Sequence, residues 1–174
     1  MERQSHGFIF EKNSIKDFNL IKSDNYTSPW DAFTKNGIPV SIKTKKLGCS
    51  IEMGDFFRQS RVDKDFILIV GFWEGNKNNI VEKYILKIDA DYWNSQFDNE
   101  LVEQFTHIFD GITNDYSDDN KWKIRIKEAN QLWDSTGSII KVNFKRDHKR
   151  QKRVQCSIRK ECFQELIDNY SYSF

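Results

Sequence analysis

The chain has 174 residues, a length that suits one domain with a substantial hydrophobic core. Its 14 phenylalanines, 6 tyrosines and 5 tryptophans exclude a disordered chain. The formal net charge of +1 gives no general attraction to nucleic acid or to a membrane, so any anionic partner must bind a local patch of positive charge.

The cysteines and the N-terminal residues indicate the cellular compartment. Three cysteines without metal-site spacing argue against a disulfide framework, and three histidines argue against a histidine-rich metal site. The N-terminal residues are charged and lack the long apolar run of a signal peptide, and no stretch approaches the length of a membrane span. We therefore expect a cytoplasmic protein without a membrane partner.

The first half of the chain predicts a helix, a hairpin, a short helix and two strands. The helix is expected over residues 4–22 and the hairpin over 26–45, where Asn36-Gly37 is a strong turn signal. The short helix begins near Gly54. The runs "DFILIVGFW" and "NIVEKYILKI" are rich in β-branched and aromatic residues, which favours two strands joined by a short loop.

The second half predicts further helices and one more strand pair. A helix is expected over 91–109, followed by an acidic loop, "DGITNDYSDDNK", and by a helix over "KWKIRIKEANQLW". Residues 138–158 predict two strands with a basic tip, and 160–170 a last helix. The predicted fold is a single domain of the mixed α+β class, in which a central mixed β-sheet is flanked by helices.

The first hairpin brings an acid close to a lysine. A strict two-residue turn pairs Asp31 with Ile42 and points the acid into the core, whereas a three-residue loop or a bulge at Gly37 shifts the pairing by one residue. In the shifted register Asp31 shares a face with Ser41 and Lys43. We predict the shifted register, because it avoids a buried, unpaired carboxylate. An exposed salt bridge between Asp31 and Lys43 is the simpler interpretation of the pair.

Glu11 lies within the apolar face predicted for the first helix. Phe8, Ile15 and Phe18 recur at helical spacing, and Glu11 falls between them. A carboxylate in such a stripe is costly unless it is paired or binds a cation. Glu11 is therefore a rim residue, the partner of a lysine, or a ligand.

Two further acids come after Lys43. Glu52 and Asp55 precede or begin the short helix, and Asp55 is also a typical helix N-cap. Arg58 and Gln59 follow on the same helix, where the simplest prediction is a solvated face.

The spacing of these residues resembles the motif of the PD-(D/E)XK nuclease superfamily, which includes most type II restriction endonucleases. The motif is present as Pro29-Trp30-Asp31, followed after nine residues by Ser41-Ile42-Lys43. The family core of a helix, a motif-bearing hairpin, a helix and further strands matches the order over about residues 4–88. Ser41 departs from the family, which usually has an acid there; some restriction enzymes with this serine take the carboxylate from the following helix.

The resemblance implies a Mg²⁺-dependent DNA endonuclease, most like a small type II restriction enzyme, that cuts double-stranded DNA as a homodimer. Asp31 would be the central metal ligand, and Lys43 would orient or deprotonate the attacking water. The carboxylate missing at Ser41 would come from Asp55 or from Glu52, and we favour Asp55 because it opens the helix leading to Arg58 and Gln59. The remaining implied site residues are the Ile42 carbonyl and Glu11 as metal ligands, and Lys45, Arg58 and Gln59 as DNA contacts.

The strand pair near the C-terminus is a second candidate DNA-binding element. Its apolar residues alternate and are predicted to face the core: Val142, Phe144, Val154, Cys156 and Ile158. A basic two-stranded ribbon can enter a DNA groove or bind phosphates. The DNA contacts predicted here are Arg146, Lys149, Arg150, Lys152, Arg153 and Gln155.

Two other functions are compatible with the same residues. A structure-selective DNA repair or junction nuclease would share the motif. A non-catalytic nucleic-acid-binding module would have lost it, with Ser41 as the sign of the loss. Metal binding separates the non-catalytic module from the two nucleases. The pattern of plasmid cleavage separates a sequence-specific restriction enzyme from a structure-selective nuclease.

Overall fold

The structure is a computed structural model, which describes residues 5–24, 28–114, 119–147 and 151–174. The described residues form six α-helices, one short 3-10 helix and two β-sheets. The mixed α+β class predicted from the sequence is therefore confirmed. In these described segments, no helix is both long enough and apolar enough to cross a lipid bilayer.

The larger sheet contains five strands. They are β1 (Ile21–Lys22), β2 (Ala32–Phe33), β3 (Pro39–Lys46), β5 (Phe66–Trp73) and β6 (Ile80–Ile88), and they neighbour one another in that order. β3 and β5 run parallel, whereas the other neighbouring pairs are antiparallel. A parallel pair requires a crossover connection. Residues 47–65 provide it, and this crossover brings a second sheet and a short helix close to the end of β3.

The smaller sheet contains three antiparallel strands. They are β4 (Ile51–Asp55), β8 (Gln151–Ile158) and β7 (Ile140–Asp147), in that spatial order. The structure thus adds a second, smaller sheet to the predicted central mixed sheet. After the turn at Gly48, whose φ of 77° suits glycine, the chain does not return along β3 but pairs with β8. Ile51 and Met53 of β4 are buried by this pairing.

The helices differ from prediction mainly at their ends. They are α1 (Ser5–Asp17), α2 (Phe56–Gln59), α3 (Ala90–Ser95), α4 (Asn99–Asn114), α5 (Asp119–Ser135) and α6 (Phe163–Tyr170), with the 3-10 helix over Lys160–Cys162. The helix predicted over 91–109 is two helices, because the Asp98 carboxylate accepts a hydrogen bond from the Leu101 amide and begins α4. Much of the predicted acidic loop belongs to α4 and α5. The first helix ends at Asp17, before Asn19 with its positive φ of 51°.

α1 packs on one face of the larger sheet, and the contact depends on a glycine. A Cβ atom at Gly71 of β5 would lie 2.6 Å from the Phe10 ring, so only glycine allows this approach. Phe10 and Ser14 are buried, whereas Phe8 is 58% exposed. The apolar face predicted from Phe8, Ile15 and Phe18 is therefore wrong at Phe8, because the helix is rotated to place Phe10 over Gly71.

The opposite face of the larger sheet packs against the smaller sheet and the remaining helices. Phe56 of α2 is fully buried there, with its ring 5.4 Å from Phe105 and 5.2 Å from Trp133. The predicted core positions of β7 and β8 are confirmed, since Val142, Val154, Cys156 and Ile158 are buried, and Phe144 packs on Phe105. Burial raises the pKa of the Cys156 thiol, which keeps it protonated near neutral pH.

Candidate active site

The hairpin between β2 and β3 has the shifted register. Ala32 pairs with Val40 and Phe33 with Pro39, so Asp31 lies opposite Ser41. The loop is closed by a hydrogen bond from the Thr34 amide to the Ile38 carbonyl, 2.9 Å long. The prediction that Asp31 faces Ser41 and Lys43 rather than Ile42 is confirmed.

The Asp31 carboxylate is held by three donors from β3. Its Oδ2 atom accepts hydrogen bonds from the Ile42 amide at 2.6 Å, from Lys43 Nζ at 3.0 Å and from Ser41 Oγ at 3.4 Å. Oδ1 receives no hydrogen bond from the described residues. Asp31 and Lys43 are both partly exposed, at 28% and 24% of their side chains. The carboxylate therefore keeps one oxygen available beside an ammonium group.

The edge of β3 next to Asp31 is open. β2 pairs only with Pro39 and Val40, and beyond them no strand of the described chain covers this side of β3. The Ile42 amide points to this edge, since it donates to Asp31. The amide and carbonyl of one strand residue point to the same side, so the Ile42 carbonyl faces the edge too. An open backbone oxygen thus lies close to the Asp31 carboxylate.

A pocket of about 530 Å³ lies along this edge. Its walls come from the start of α1, the second half of β3, β4, and the end of β5 with the loop that follows it. They include Phe8, Glu11, Ile42, Lys43, Lys45, Lys46, Glu52, Trp73 and Lys77. Asp31 is not itself a lining residue, but it contacts both Ile42 and Lys43. The pocket therefore brings together five of the residues that the sequence implied, Glu11, Ile42, Lys43, Lys45 and Glu52, which come from three elements.

Each acid near the pocket is paired with a lysine. The ion pairs are Asp31–Lys43 at 3.0 Å, Glu52–Lys45 at 2.9 Å and Glu11–Lys22 at 3.6 Å. The interpretation of Glu11 as the partner of a lysine is borne out, and Glu11 also lines the pocket. Across the ranges that the structure describes, no group of three or more His, Cys, Asp or Glu lies close enough together to hold a metal ion.

The oxygens at the open edge are compatible with Mg²⁺ in their chemistry. Mg²⁺ is a hard cation that is bound through one or two carboxylates and retains several waters. The free Oδ1 of Asp31 and the Ile42 carbonyl are donors of this kind. Glu52 or Glu11 would add a second carboxylate only after leaving its lysine partner. These two oxygens would hold an ion through few protein ligands, and a further carboxylate ligand would require Glu52 or Glu11 to leave its lysine.

Of the two candidates for the second carboxylate, the geometry favours Glu52 over Asp55. The Asp55 carboxylate accepts a hydrogen bond from the Arg58 amide at 2.8 Å and caps α2. It lines a different pocket, beside Trp30 and Arg58. A bulge in β4 between Glu52 and Gly54, where the glycine φ is 94°, turns the two acids to different surfaces. The sequence-based preference for Asp55 is therefore not supported.

Gln59 is not placed to contact a substrate. Gln59 is only 3% exposed, and its side-chain amide donates a hydrogen bond to the Met53 carbonyl at 3.1 Å. Its backbone carbonyl accepts from the Trp93 indole at 3.1 Å. Gln59 thus ties α2 to β4 and α3, and its side chain is enclosed by these elements rather than exposed on the surface. Arg58, by contrast, is exposed beside Trp30.

The basic strand pair near the C-terminus forms as predicted, and its residues divide into three groups. Lys149 and Arg150 lie outside the described residues. Arg146 near the end of β7 pairs through its backbone with Lys152 near the start of β8. Arg153 is exposed, and Gln155 is half-buried on the outer face of the smaller sheet. Of the predicted DNA contacts, Gln155 and Lys45 line a common groove.

The residues that the sequence did not indicate include Phe8 and Lys77, which line the pocket, and Lys22, which lies beside it. Lys22, the partner of Glu11, follows the end of α1, and their contact depends on how the chain turns there. Lys77, in the loop after β5, lies 6.0 Å from the centre of the Trp73 ring. Phe8 was assigned to the core. No periodicity or motif marks these residues, because each is brought to this region by the packing of separate elements.

Replacing Lys45 by methionine is expected to raise the pKa of Glu52. The hydrogen bond from Lys45 is the largest cause holding that pKa below its ordinary value, with Lys145 adding a smaller electrostatic effect. NMR titration of the Glu52 carboxyl checks the shift, with Lys46→Met as the neighbouring control. The pKa of Glu52 in the folded protein lies below its ordinary value, so the contact with Lys45 stabilises the folded state at pH values above that ordinary pKa. This stabilisation is lost as the pH falls through the pKa that Glu52 has in the folded protein. An unchanged Glu52 pKa in Lys45→Met would contradict this assignment.

Comparisons of the chain with protein-family models, with curated proteins and with solved structures find no match. The assignment of a function therefore depends on the geometry of the site itself.

Proposed function

We propose that this chain is a Mg²⁺-dependent endonuclease that hydrolyses phosphodiester bonds in double-stranded DNA, in the manner of a type II restriction enzyme. The observation that carries the proposal is the contact between Asp31 Oδ2 and Lys43 Nζ, 3.0 Å long, at the open edge of β3. A carboxylate beside a backbone carbonyl suits a hard cation, and an adjacent ammonium suits a phosphate or a nucleophilic water.

Each residue of the hairpin has a distinct role in this proposal. Asp31 and the Ile42 carbonyl would hold the cation, which when bound neutralises phosphate charge and lowers the pKa of a bound water. Lys43 would turn from Asp31 to orient that water and to stabilise negative charge on the reacting phosphate. Ser41 is only 1% exposed, and its hydroxyl is directed to Asp31. It would position the carboxylate rather than contact the substrate.

The charges around the pocket support a phosphate as the substrate. Lys46 and Lys77 line it in addition to Lys43 and Lys45. A concave site with an excess of one charge raises the local concentration of an oppositely charged ligand. A homodimer is part of the proposal, because a twofold-symmetric dimer places one such site against each strand of a palindrome.

The direct test is digestion of several plasmids with Mg²⁺, followed by mapping of the ends. Discrete fragments with a common terminal sequence are expected. Chelation with EDTA should prevent cleavage, and Ca²⁺ should permit binding without cutting. Cleavage only at branched or damaged substrates would favour a structure-selective repair or junction nuclease. No cleavage of any DNA with Mg²⁺ or Mn²⁺ would contradict the nuclease proposal.

A non-catalytic nucleic-acid-binding module is the second candidate. It is favoured by the ion pairs that Glu11, Asp31 and Glu52 each form with a lysine. The residues that the structure describes also contain no group of three or more side chains that could hold a metal ion. Calorimetric titration with Mg²⁺ or Mn²⁺ distinguishes the two candidates. The module should bind DNA without a divalent cation and show no cation binding that depends on Asp31.

A further inference from the structure

A second groove adjoins the pocket at the end of β3. Its floor is the outer face of the smaller sheet, and one wall is the end of β3 with the turn that follows. The two cavities share Lys45 and Glu52 as lining residues. The second has a volume of about 420 Å³ and is termed the β7–β8 groove. The residues that line it include Lys45, Glu52, Lys141, Asn143, Lys145 and Gln155.

Strand alternation explains why polar side chains line this groove. Lys141, Asn143 and Lys145 alternate along β7 with the core residues Val142 and Phe144, so the three share the outer face. The register adds a second row from β8, in which Gln155 lies opposite Asn143. The outer face thus presents ammonium and amide donors in two adjacent rows.

The charge of the combined cavities is strongly positive. Six lysines and two glutamates line them, a formal net charge of +4, although the whole chain carries only +1. The lysines are Lys43, Lys45, Lys46, Lys77, Lys141 and Lys145, and the glutamates are Glu11 and Glu52. This surface therefore concentrates positive charge in a chain whose other residues have a formal net charge of −3.

Two lysines converge where the cavities meet. Lys45 donates a hydrogen bond to Glu52 at 2.9 Å, and both Lys45 and Lys145 lower the pKa of that carboxyl. Glu52 is 60% exposed, so an anion in the groove can compete for these ammonium groups. The boundary between the cavities is therefore accessible to an anion and involves other residues than the Asp31–Lys43 pair.

We propose that the β7–β8 groove binds the sugar-phosphate backbone of the nucleic-acid strand that continues beyond the cleaved phosphodiester. Lys141 and Lys145 would contact phosphates, and the amides of Asn143 and Gln155 would donate to phosphate or sugar oxygens. This inference rests on the proposed function only in assigning the adjoining pocket to the cleaved phosphate. Such contacts fix the position of the strand without reading its sequence.

The test is binding of a short fluorescent DNA duplex in EDTA, measured over a range of salt concentrations. The double variant Lys141→Met/Lys145→Met should bind about tenfold more weakly per lost contact near 0.1 M salt. Its slope of log affinity against log salt should shrink by about 0.9 for each contact. The matched control is Lys123→Met/Lys127→Met on α5, which packs against the inner side of the smaller sheet through Trp133. The control should bind as the unmodified chain does.

A duplex series with single neutral methylphosphonates locates the contact. One substitution near the cleavage site should weaken binding by the unmodified chain but not by the Lys141/Lys145 variant, since the two changes remove the same interaction. Thermal unfolding of the variant should match that of the control. Equal affinity and slope for the two double variants would overturn the groove proposal. Equal displacement of the duplex by poly-glutamate would also overturn it, in favour of an acidic protein.

Failure of the two proposals is distinguishable. A chain that cuts DNA while the Lys141/Lys145 variant binds normally would refute the groove and leave the nuclease intact. A chain that never cuts but loses affinity and salt slope in that variant would refute the nuclease and retain the groove.

Discussion

Replacing Asp31 by asparagine is expected to lower the rate of DNA cleavage by at least about a hundredfold, which is typical for the loss of one key electrostatic group at a reacting phosphate or carbonyl. The change keeps the shape of the side chain but removes its negative charge. It puts an amide nitrogen in place of one carboxylate oxygen, so the cation loses its principal anionic ligand. Single-turnover cleavage with saturating enzyme measures the effect on the chemical step.

The same Asp31→Asn variant should bind DNA without metal at least as well as the unmodified chain. Its Lys43 ammonium no longer has a carboxylate partner, and repulsion between Asp31 and phosphate is removed. Asp91→Asn, an exposed change on α3, is the control and should leave both properties unaltered. Thermal unfolding shows whether loss of the contact with the Ile42 amide disturbs the hairpin. Cleavage by a folded Asp31→Asn variant at a near-normal rate would refute the site.

Glu52→Gln is expected to lose most cleavage, whereas Asp55→Asn should remain close to normal. Glu52 lines the pocket and Asp55 does not. The amide in Asp55→Asn still caps α2, because asparagine is as good an N-cap as aspartate. The ion pair lost in Glu52→Gln is largely exposed and contributes little to stability. A loss of activity in Glu52→Gln would therefore reflect the site and not the fold.

The measurement pairs cleavage rate with cation affinity for both variants. Glu52→Gln should require more Mg²⁺ for half-maximal cleavage, by about tenfold or more, as is typical when a group that supports a metal is changed. The reverse pattern, with Asp55→Asn inactive and Glu52→Gln normal, would mean that β4 or α2 rearranges on binding substrate. Normal activity in both variants would mean that, of Asp31, Glu52 and Asp55, only Asp31 supplies a carboxylate ligand to the metal.

Local patterns were sufficient for most elements of the fold. The β5–β6 and β7–β8 pairs were predicted because alternating β-branched and aromatic residues are bounded by turn residues. The shifted register of the first hairpin was also predictable. A one-residue slip moves every side chain to the other face, and only one register keeps the Asp31 carboxylate out of the core. These results depend on residues close together in the chain.

Long-range pairing was not predictable from the same patterns. β4 pairs with β8, more than 100 residues later in the chain, rather than extending the sheet of β3. That choice and the bulge before Gly54 decide which surface each of Glu52 and Asp55 faces. The burial of Gln59 and the rotation of α1 about Phe10 likewise depend on neighbours from distant segments.

The sequence by itself determined the mixed α+β class, the core positions of the strand pairs and the hairpin register that places Asp31 on the same face as Ser41 and Lys43. Alternation, turn chemistry and the cost of burying a charge are local properties that a sequence displays directly. Only the tertiary structure decided that Glu11 and Glu52 line the pocket, where they form ion pairs with Lys22 and Lys45. It also decided that the groove on the smaller sheet adjoins this pocket. Side chains from separate elements meet only when the elements pack, and that packing is decided by steric fit, as between Phe10 and Gly71, and not by periodicity.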